Sequence, residues 1–232
     1  MTRQTTITPL STGSKTITFL LSLFFGLILG AVLLGTAVLT RQFTTLDEQL
    51  ATQLGIGAKT AWYFSRASGT VAYLLLASST VWGLLLSTRI IRTSIPAPLM
   101  IGMHNILSWT AIAFTSIHAL ALLFDSYYTY TLPTLVIPFI GPYRPEWVGL
   151  GIIALYIMIV TSVSFSWRRQ LGQTRWRRLH YLTFGAYGLA TLHGIMAGTD
   201  SGNPGMKFIY WGSALLVLFL TNYRIMAGKT AR

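Results

Sequence analysis

Cysteine is absent from all 232 residues, which excludes disulfides, thiolate-held iron–sulfur clusters and covalent haem attachment through a C-x-x-C-H motif. Charge is scarce as well: 9% of residues are Asp, Glu, Lys or Arg, and five are acidic against 17 basic. The five carboxylates are scattered over three connecting segments and make no recognisable site for a hard cation. No G-x-G-x-x-G stands between a strand and a helix, and Gly55 with Gly57 gives only a turn signal. The chain therefore offers no FAD or NADPH site. Nor is there a soluble basic domain to bind nucleic acid, so the formal charge of +12 reports membrane topology.

Apolar residues are what the chain has in abundance. With 53% hydrophobic and 13% aromatic residues and a mean hydropathy of +0.59, it is too apolar for an ordinary soluble domain. Runs without charge near Phe19 to Leu39, Gly69 to Ser87, Ile101 to Phe124, Val148 to Phe165, Tyr181 to Met196 and Phe208 to Tyr223 predict six membrane helices. The expected fold is an all-α integral membrane protein: a tail over 1–16, a six-helix bundle over 17–226 and a tail over 227–232. The last two runs are short for a hydrocarbon core of about 30 Å, so flanking residues are expected to complete them. The first run is longer than the roughly 7 to 15 apolar residues of a signal peptide and is read as a retained helix. Its Gly26 and Gly30, at G-x-x-x-G spacing, suit close helix packing.

Orientation follows from the basic residues. With both termini cytoplasmic, the inner side holds Arg3, Lys15, Arg89, Arg92, Arg168, Arg169, Arg175, Arg177, Arg178, Arg224, Lys229 and Arg232, as the positive-inside rule requires. The outer side keeps Arg41, Lys59, Arg66, Arg144 and Lys207, with every acidic residue: Asp47, Glu48, Asp125, Glu146 and Asp200. The expected location is a plasma membrane of the bacterial kind.

Four histidines remain, the only ones in the chain, and they form two pairs in apolar segments: His104 and His118, 14 residues apart, and His180 and His193, 13 apart. Ionisable side chains at membrane depth mark sites, and imidazole is the usual protein ligand of haem iron. At 1.5 Å per residue the spacings give rises of roughly 21 Å and 20 Å. Two facing helices would thus offer ligands at matched depths, His104 with His180 on the inner side and His118 with His193 on the outer. Without cysteine, two non-covalent b-type haems with bis-imidazole ligation are the expected cofactors. Helical phase agrees only in part, since 14 residues fall about 40° short of whole turns but 13 fall about 140° short. Local tightening, a tilted haem plane or a bend near Gly185 and Gly188 would reconcile the second pair.

Other residues gather around this expectation. Haem propionates are anionic and a guanidinium pairs with them in bidentate fashion, which makes Arg66 and Arg144 candidates at the outer haem. Arg89, Arg92, Arg177 and Arg178 are candidates at the inner one, though positive-inside charges would look the same. The run Arg168 to Arg178 holds five arginines and would dock an acidic redox partner, or serve topology alone. Between the third and fourth helices, Tyr127, Tyr128, Tyr130, Pro133, Pro138, Pro142 and Pro145 either cap the outer haem or form an interfacial aromatic belt.

From about Trp62 to Arg224 the chain resembles the ferric reductase-like transmembrane domain family, which includes ferric reductases and the membrane halves of NADPH oxidases. The residues that carry the resemblance are the two histidine pairs, the stretch Trp62-Tyr63-Phe64-Ser65-Arg66-Ala67-Ser68-Gly69 and the stretch Trp176-Arg177-Arg178-Leu179-His180. The resemblance implies a bundle with two b haems that passes electrons from a cytoplasmic donor to an outer acceptor. Members of that family continue into a soluble domain for FAD and NADPH, whereas this sequence ends at Arg232. The donor is then expected to be a separate cytoplasmic flavoprotein or membrane quinol, and the outer acceptor is left open. A second relative in kind is the haem-binding membrane subunit of a periplasmic methionine sulfoxide reductase system, which feeds a separate extracytoplasmic oxidoreductase. Two further readings are a haem-carrying protein without directional electron flow and an assembly subunit whose histidines only bridge helices.

Overall fold

A chain in lipid has no water to pair its backbone, so its spans must close their hydrogen bonds internally as helices. The computed structural model describes residues 57, 59–88 and 96–230, with side chains as far as 227, and every regular element in them is helical. In chain order these are α1 Thr60–Thr88, α2 Ala97–Ala121, α3 Leu132–Val136, α4 Pro145–Ser164, α5 Arg168–Leu171, α6 Gln173–His180, α7 Leu182–Ala197 and α8 Pro204–Thr230. Short 3₁₀ turns, Leu122–Phe124 and Phe165–Trp167, extend α2 and α4. All of the helices belong to the unit Ala58–Arg232.

Four helical stretches are long and apolar enough to cross a membrane: Thr60–Thr88, Ala97–Phe124, Pro145–Leu171 and Pro204–Ala227. An integral membrane protein is the plain consequence. α7 has 16 residues, about 24 Å of helix, and α6 precedes it across a single turn residue, Tyr181. Flanking residues complete the last helix as expected, since α8 runs for 27 residues. The expected first span, its Gly26 and Gly30, Arg41 and the loop arginines Arg89 and Arg92 lie outside the described residues.

Prolines open the helices where a missing N–H leaves nothing unpaired: Pro98 stands in the first turn of α2, Pro145 begins α4 and Pro204 begins α8. α1 packs closely on α2 and on α8, and α4 on α7, with lesser contact between α2 and α4 and between α1 and α7. The face of α1 that meets α2 reads Ser65, Gly69, Ala72, Leu76, Ser79, Gly83, an alternation of four- and three-residue steps. That is a 3.5-residue repeat, which two helices follow at a small left-handed crossing, and small residues let the backbones approach. Fourteen residues are four such periods, so the side chains 14 apart on α2 meet equivalent surroundings on α1.

Between the levels of the two histidine pairs, α1, α7 and α8 are joined by hydroxyls. Tyr187 donates to Ser213 Oγ at 2.8 Å, Tyr73 OH lies 2.9 Å from the same oxygen, and Ser213 donates to the Tyr210 carbonyl at 3.1 Å. Burying Tyr73 and Tyr187 at mid-bundle is tolerated because their hydroxyls are paired.

The described charges separate by end. Asp125, Glu146 and Asp200 lie with Lys59, Arg66, Arg144 and Lys207 at the end where α1 begins, whereas Arg168, Arg169, Arg175, Arg177, Arg178 and Arg224 lie at the opposite end.

Candidate functional site

α2 and α7 are not among the closely packed helix pairs. They face one another across a gap, and the four histidines meet in it as two pairs. The rings of His104 and His180 have centres 6.0 Å apart with planes crossing at 79°; those of His118 and His193 are 6.2 Å apart, crossing at 72°. Two imidazoles on opposite sides of one metal, with bonds of about 2.0 Å and about 1.1 Å from each nitrogen to its ring centre, have centres about 6.2 Å apart. Each pair thus has the spacing that admits one metal ion between its rings.

The helix tightens at Tyr181, between α6 and α7. The Tyr181 N–H is shared between the Arg177 and Arg178 carbonyls at 3.2 and 3.3 Å, and the Phe184 N–H reaches back only three residues to Tyr181 O at 3.1 Å. Such a turn adds about 20° per residue and so makes up part of the phase shortfall between His180 and His193, while Gly185 and Gly188 lie inside the uninterrupted α7.

Three of the histidines are held in one way. His118 donates Nδ1–H to the Ser65 carbonyl at 2.8 Å, and its ring lies over Gly69, where an added Cβ would come within 2.8 Å of Nδ1. His193 donates Nδ1–H to the Trp147 carbonyl at 3.0 Å and lies over Gly151, where a Cβ would come within 2.9 Å. His104 has Ser79 Oγ at 3.3 Å and lies over Gly83, with a Cβ distance of 3.2 Å. In each case the partner helix presents an acceptor at one position and a glycine four residues on, so the ring enters the notch that the missing side chain leaves.

These contacts also fix the tautomers. A carbonyl only accepts, so Nδ1 of His118 and His193 carries the proton and Nε2 the lone pair. For His104, Ser108 donates to the His104 carbonyl at 2.9 Å and stands 2.8 Å from Ser79 Oγ. Ser79 then donates to Ser108 and accepts from Nδ1–H, which closes a ring of bonds in a single direction. Orientation by a second hydrogen bond of this kind is what metal-binding histidines require.

His180 differs. Its Nδ1 is buried without a hydrogen-bond partner, as is Trp176 Nε1, and the two rings stack at 5.0 Å and 20°.

A cavity of about 550 Å³ opens at the His118–His193 pair, within the roughly 300–1,000 Å³ of small-molecule sites. Ser65, Gly69, Gly151, Tyr73 and Tyr210 contribute to its wall. The loop before α4 contributes Tyr127, Tyr128, Tyr130 and Tyr143, in keeping with a capping loop. Phe139, at φ 70°, anchors that loop on Gly149, where a Cβ would meet its ring at 2.3 Å. Burial, with Asp125 nearby and Tyr128 and Tyr143 adding to it, pushes the Tyr130 hydroxyl up to about 12.

The two arginine candidates are placed differently. Arg66 lines the cavity but is paired with Asp200, to which Nε donates at 2.5 Å and NH2 adds a second bond, and it stacks on Trp62 at 4.0 Å. Arg144, the residue before α4 with φ 40°, donates to the Met196 carbonyl and lies 5.2 Å from the Tyr143 ring centre; it is not among the cavity residues. Of the inner candidates, Arg177 and Arg178 are exposed on α6.

The notch residues carried no assigned role in the sequence, yet a signal was present: Ser-x-x-x-Gly occurs at 65–69 and again at 79–83, the same 14-residue interval that separates His104 from His118. Among the described residues, no group of three or more His, Cys, Asp or Glu converges on a point. Each pair thus presents two imidazoles and no third such side chain among the described residues. No protein family, curated protein or solved structure matches this chain.

Proposed function

We propose that this protein is a transmembrane electron-transfer cytochrome b of ferric reductase-like type, with one haem at His118–His193 near the outer face and a second at His104–His180 near the cytoplasmic face. The observation that supports it is the meeting of the four histidines as two two-ligand pairs, 6.0 and 6.2 Å between ring centres, about 21 Å apart in depth. Helix bridging accounts for the Nδ1–H bonds of His118 and His193 to carbonyls of other helices, but it gives no reason for a second imidazole facing each ring across the gap at 6.0 and 6.2 Å.

A haem at each pair would supply a one-electron couple, and the chain's own residues do the rest. Ser65, Trp147 and the Ser79–Ser108 relay hold protons on Nδ1 and leave Nε2 free to ligate. Gly69, Gly151 and Gly83 admit the rings, and the apolar cavity excludes water. The exposed arginines of α5 and α6 face the cytoplasm in this reading and favour encounter with an acidic donor protein, while a membrane quinol is the other donor that the setting allows. At the outer face the tyrosine loop borders the approach of the acceptor. Arg66, ion-paired with Asp200 on the cavity wall, is the better placed of the two arginine candidates for a propionate.

The test is haem per polypeptide on purified protein, with oxidised and reduced spectra. About two b haems are expected, with the strongly anisotropic low-spin ferric signal of crossed imidazole planes, and His118→Ala and His104→Ala should each remove one. Two low-spin haems retained in both variants would reject the assignment.

A further inference from the structure

Three histidines are each held by an acceptor at Nδ1 and a glycine notch; the fourth has neither. Among the described residues, the Nδ1 of His180 has no partner and no glycine lies under its ring. It is the last residue of α6, an eight-residue helix without a single buried side chain, joined to α7 through Tyr181. What holds the ring is the stack on Trp176, which in turn meets Phe165 edge-on at 5.9 Å. His193, by contrast, sits within α7 with its Nδ1 on a carbonyl and its ring in the Gly151 notch.

The orienting bond that His180 lacks matters for ligation. An acceptor on the far nitrogen raises the basicity of the ligating one and fixes the ring, and its loss typically weakens metal binding 10- to 100-fold. α6 is lightly packed, with no residue fully buried, although the His180 Nδ1 and Trp176 Nε1 atoms are shielded from solvent.

We propose, resting on the haem reading above, that His180 is a displaceable ligand. The inner site then binds a small neutral diatomic ligand of the carbon monoxide or nitric oxide class, while the outer site, locked on both sides, stays closed to it. With haem bound, the exchange would be a ligand substitution in which His180 Nε2 gives up its bond to the metal as the diatomic forms one, with no electron or proton transferred. His104, held by Ser79 and Gly83, would keep its place.

Carbon monoxide is the probe, added to the reduced full-length protein with both haems bound. The expected result is one carbon monoxide per two haems, read as a spectral shift in half of the haem. Binding to neither haem, or to both, overturns the proposal while leaving the two-haem reading intact; a protein that takes up no haem fails both. His180→Ala then identifies the site. If the variant keeps both haems, it should still bind one carbon monoxide, faster than wild type because no side chain competes; two would place the wild-type ligand at the outer haem and overturn the proposal. If the variant loses the inner haem, carbon monoxide binding should vanish, and its persistence would likewise overturn it.

Discussion

The two ends of the histidine gap have nearly the same ring separation but are built to different tolerances. At the His118–His193 end both rings enter glycine notches, both donate Nδ1–H to backbone carbonyls, and a cavity lies beside them. At the His104–His180 end one ring is notched and oriented by serine hydroxyls, while the other only stacks on Trp176. Backbone carbonyls belong to the helices and do not rotate away; hydroxyls and stacked rings do. The difference teaches that one site is fixed by main chain and the other by side chains, and that substitutions will act on them unequally.

The largest effects should come from filling the notches. At Gly69 and Gly151 an added Cβ would lie 2.8 and 2.9 Å from His118 and His193, closer than real contacts, whereas at Gly83 the distance to His104 is 3.2 Å. Gly69→Ala and Gly151→Ala are expected to displace their rings and weaken outer haem retention by about 10- to 100-fold, the scale of losing a ligand's orientation. Gly83→Ala should cost only a few-fold at the inner site. Transfer of haem to an excess of a haem-scavenging apoprotein measures both; equal loss at the two ends would erase the distinction between them.

A smaller contrast separates the two serines. Ser79 faces His104 with its hydroxyl as well as its backbone, so Ser79→Ala removes the hydroxyl acceptor and opens the ring of bonds through Ser108. Ser65 serves His118 chiefly through its carbonyl, which Ser65→Ala retains. A net hydrogen bond is worth about 0.5–1.5 kcal/mol, so Ser79→Ala should lower the thermal stability of the haem-bound protein by that amount and Ser65→Ala by less. Thermal unfolding followed by haem absorbance compares them, and a larger effect from Ser65→Ala would contradict the tautomers inferred here.

Much of this arrangement was legible in the sequence, for a physical reason. Histidines are scarce, and helical rise alone sets their depth, so the partners His104 with His180 and His118 with His193 could be read from spacing. Helical phase was a poorer guide, because the tightening at Tyr181 depends on how α6 packs beneath α7 and leaves no mark in composition. Lys207 and Arg224 bound the apolar run of α8, and the helix continues through both, as the shortness of that run required. The glycine notches were visible only as a repeat on a different helix, meaningless until α1 lies antiparallel to α2. Arg66 was placed at the cavity by its position at the start of the second apolar run, but its partner Asp200 is 134 residues away, and no local pattern announces such a pair.

That pair gives the smallest expected effect and the finest test of the comparison. Arg66 and Asp200 are 29% and 33% exposed at the side chain, a setting in which an ion pair contributes about 0–1 kcal/mol. Arg66 also stacks on Trp62, so Arg66→Gln loses packing along with charge. If the guanidinium only ties the α7–α8 loop to α1, then Asp200→Asn should lower stability by no more than about 1 kcal/mol, Arg66→Gln by somewhat more because the stack on Trp62 goes too, and both should leave the haem potentials unchanged. If the guanidinium also faces a propionate, removing its positive charge should lower the outer potential, because the oxidised form carries the extra positive charge that Arg66 opposes. Asp200→Asn should then raise it, since a negative charge that favours the oxidised form is gone. Opposite shifts at the outer haem with none at the inner one would assign Arg66 a part in the outer site; shifts of the same sign, or none, would leave it as a loop anchor.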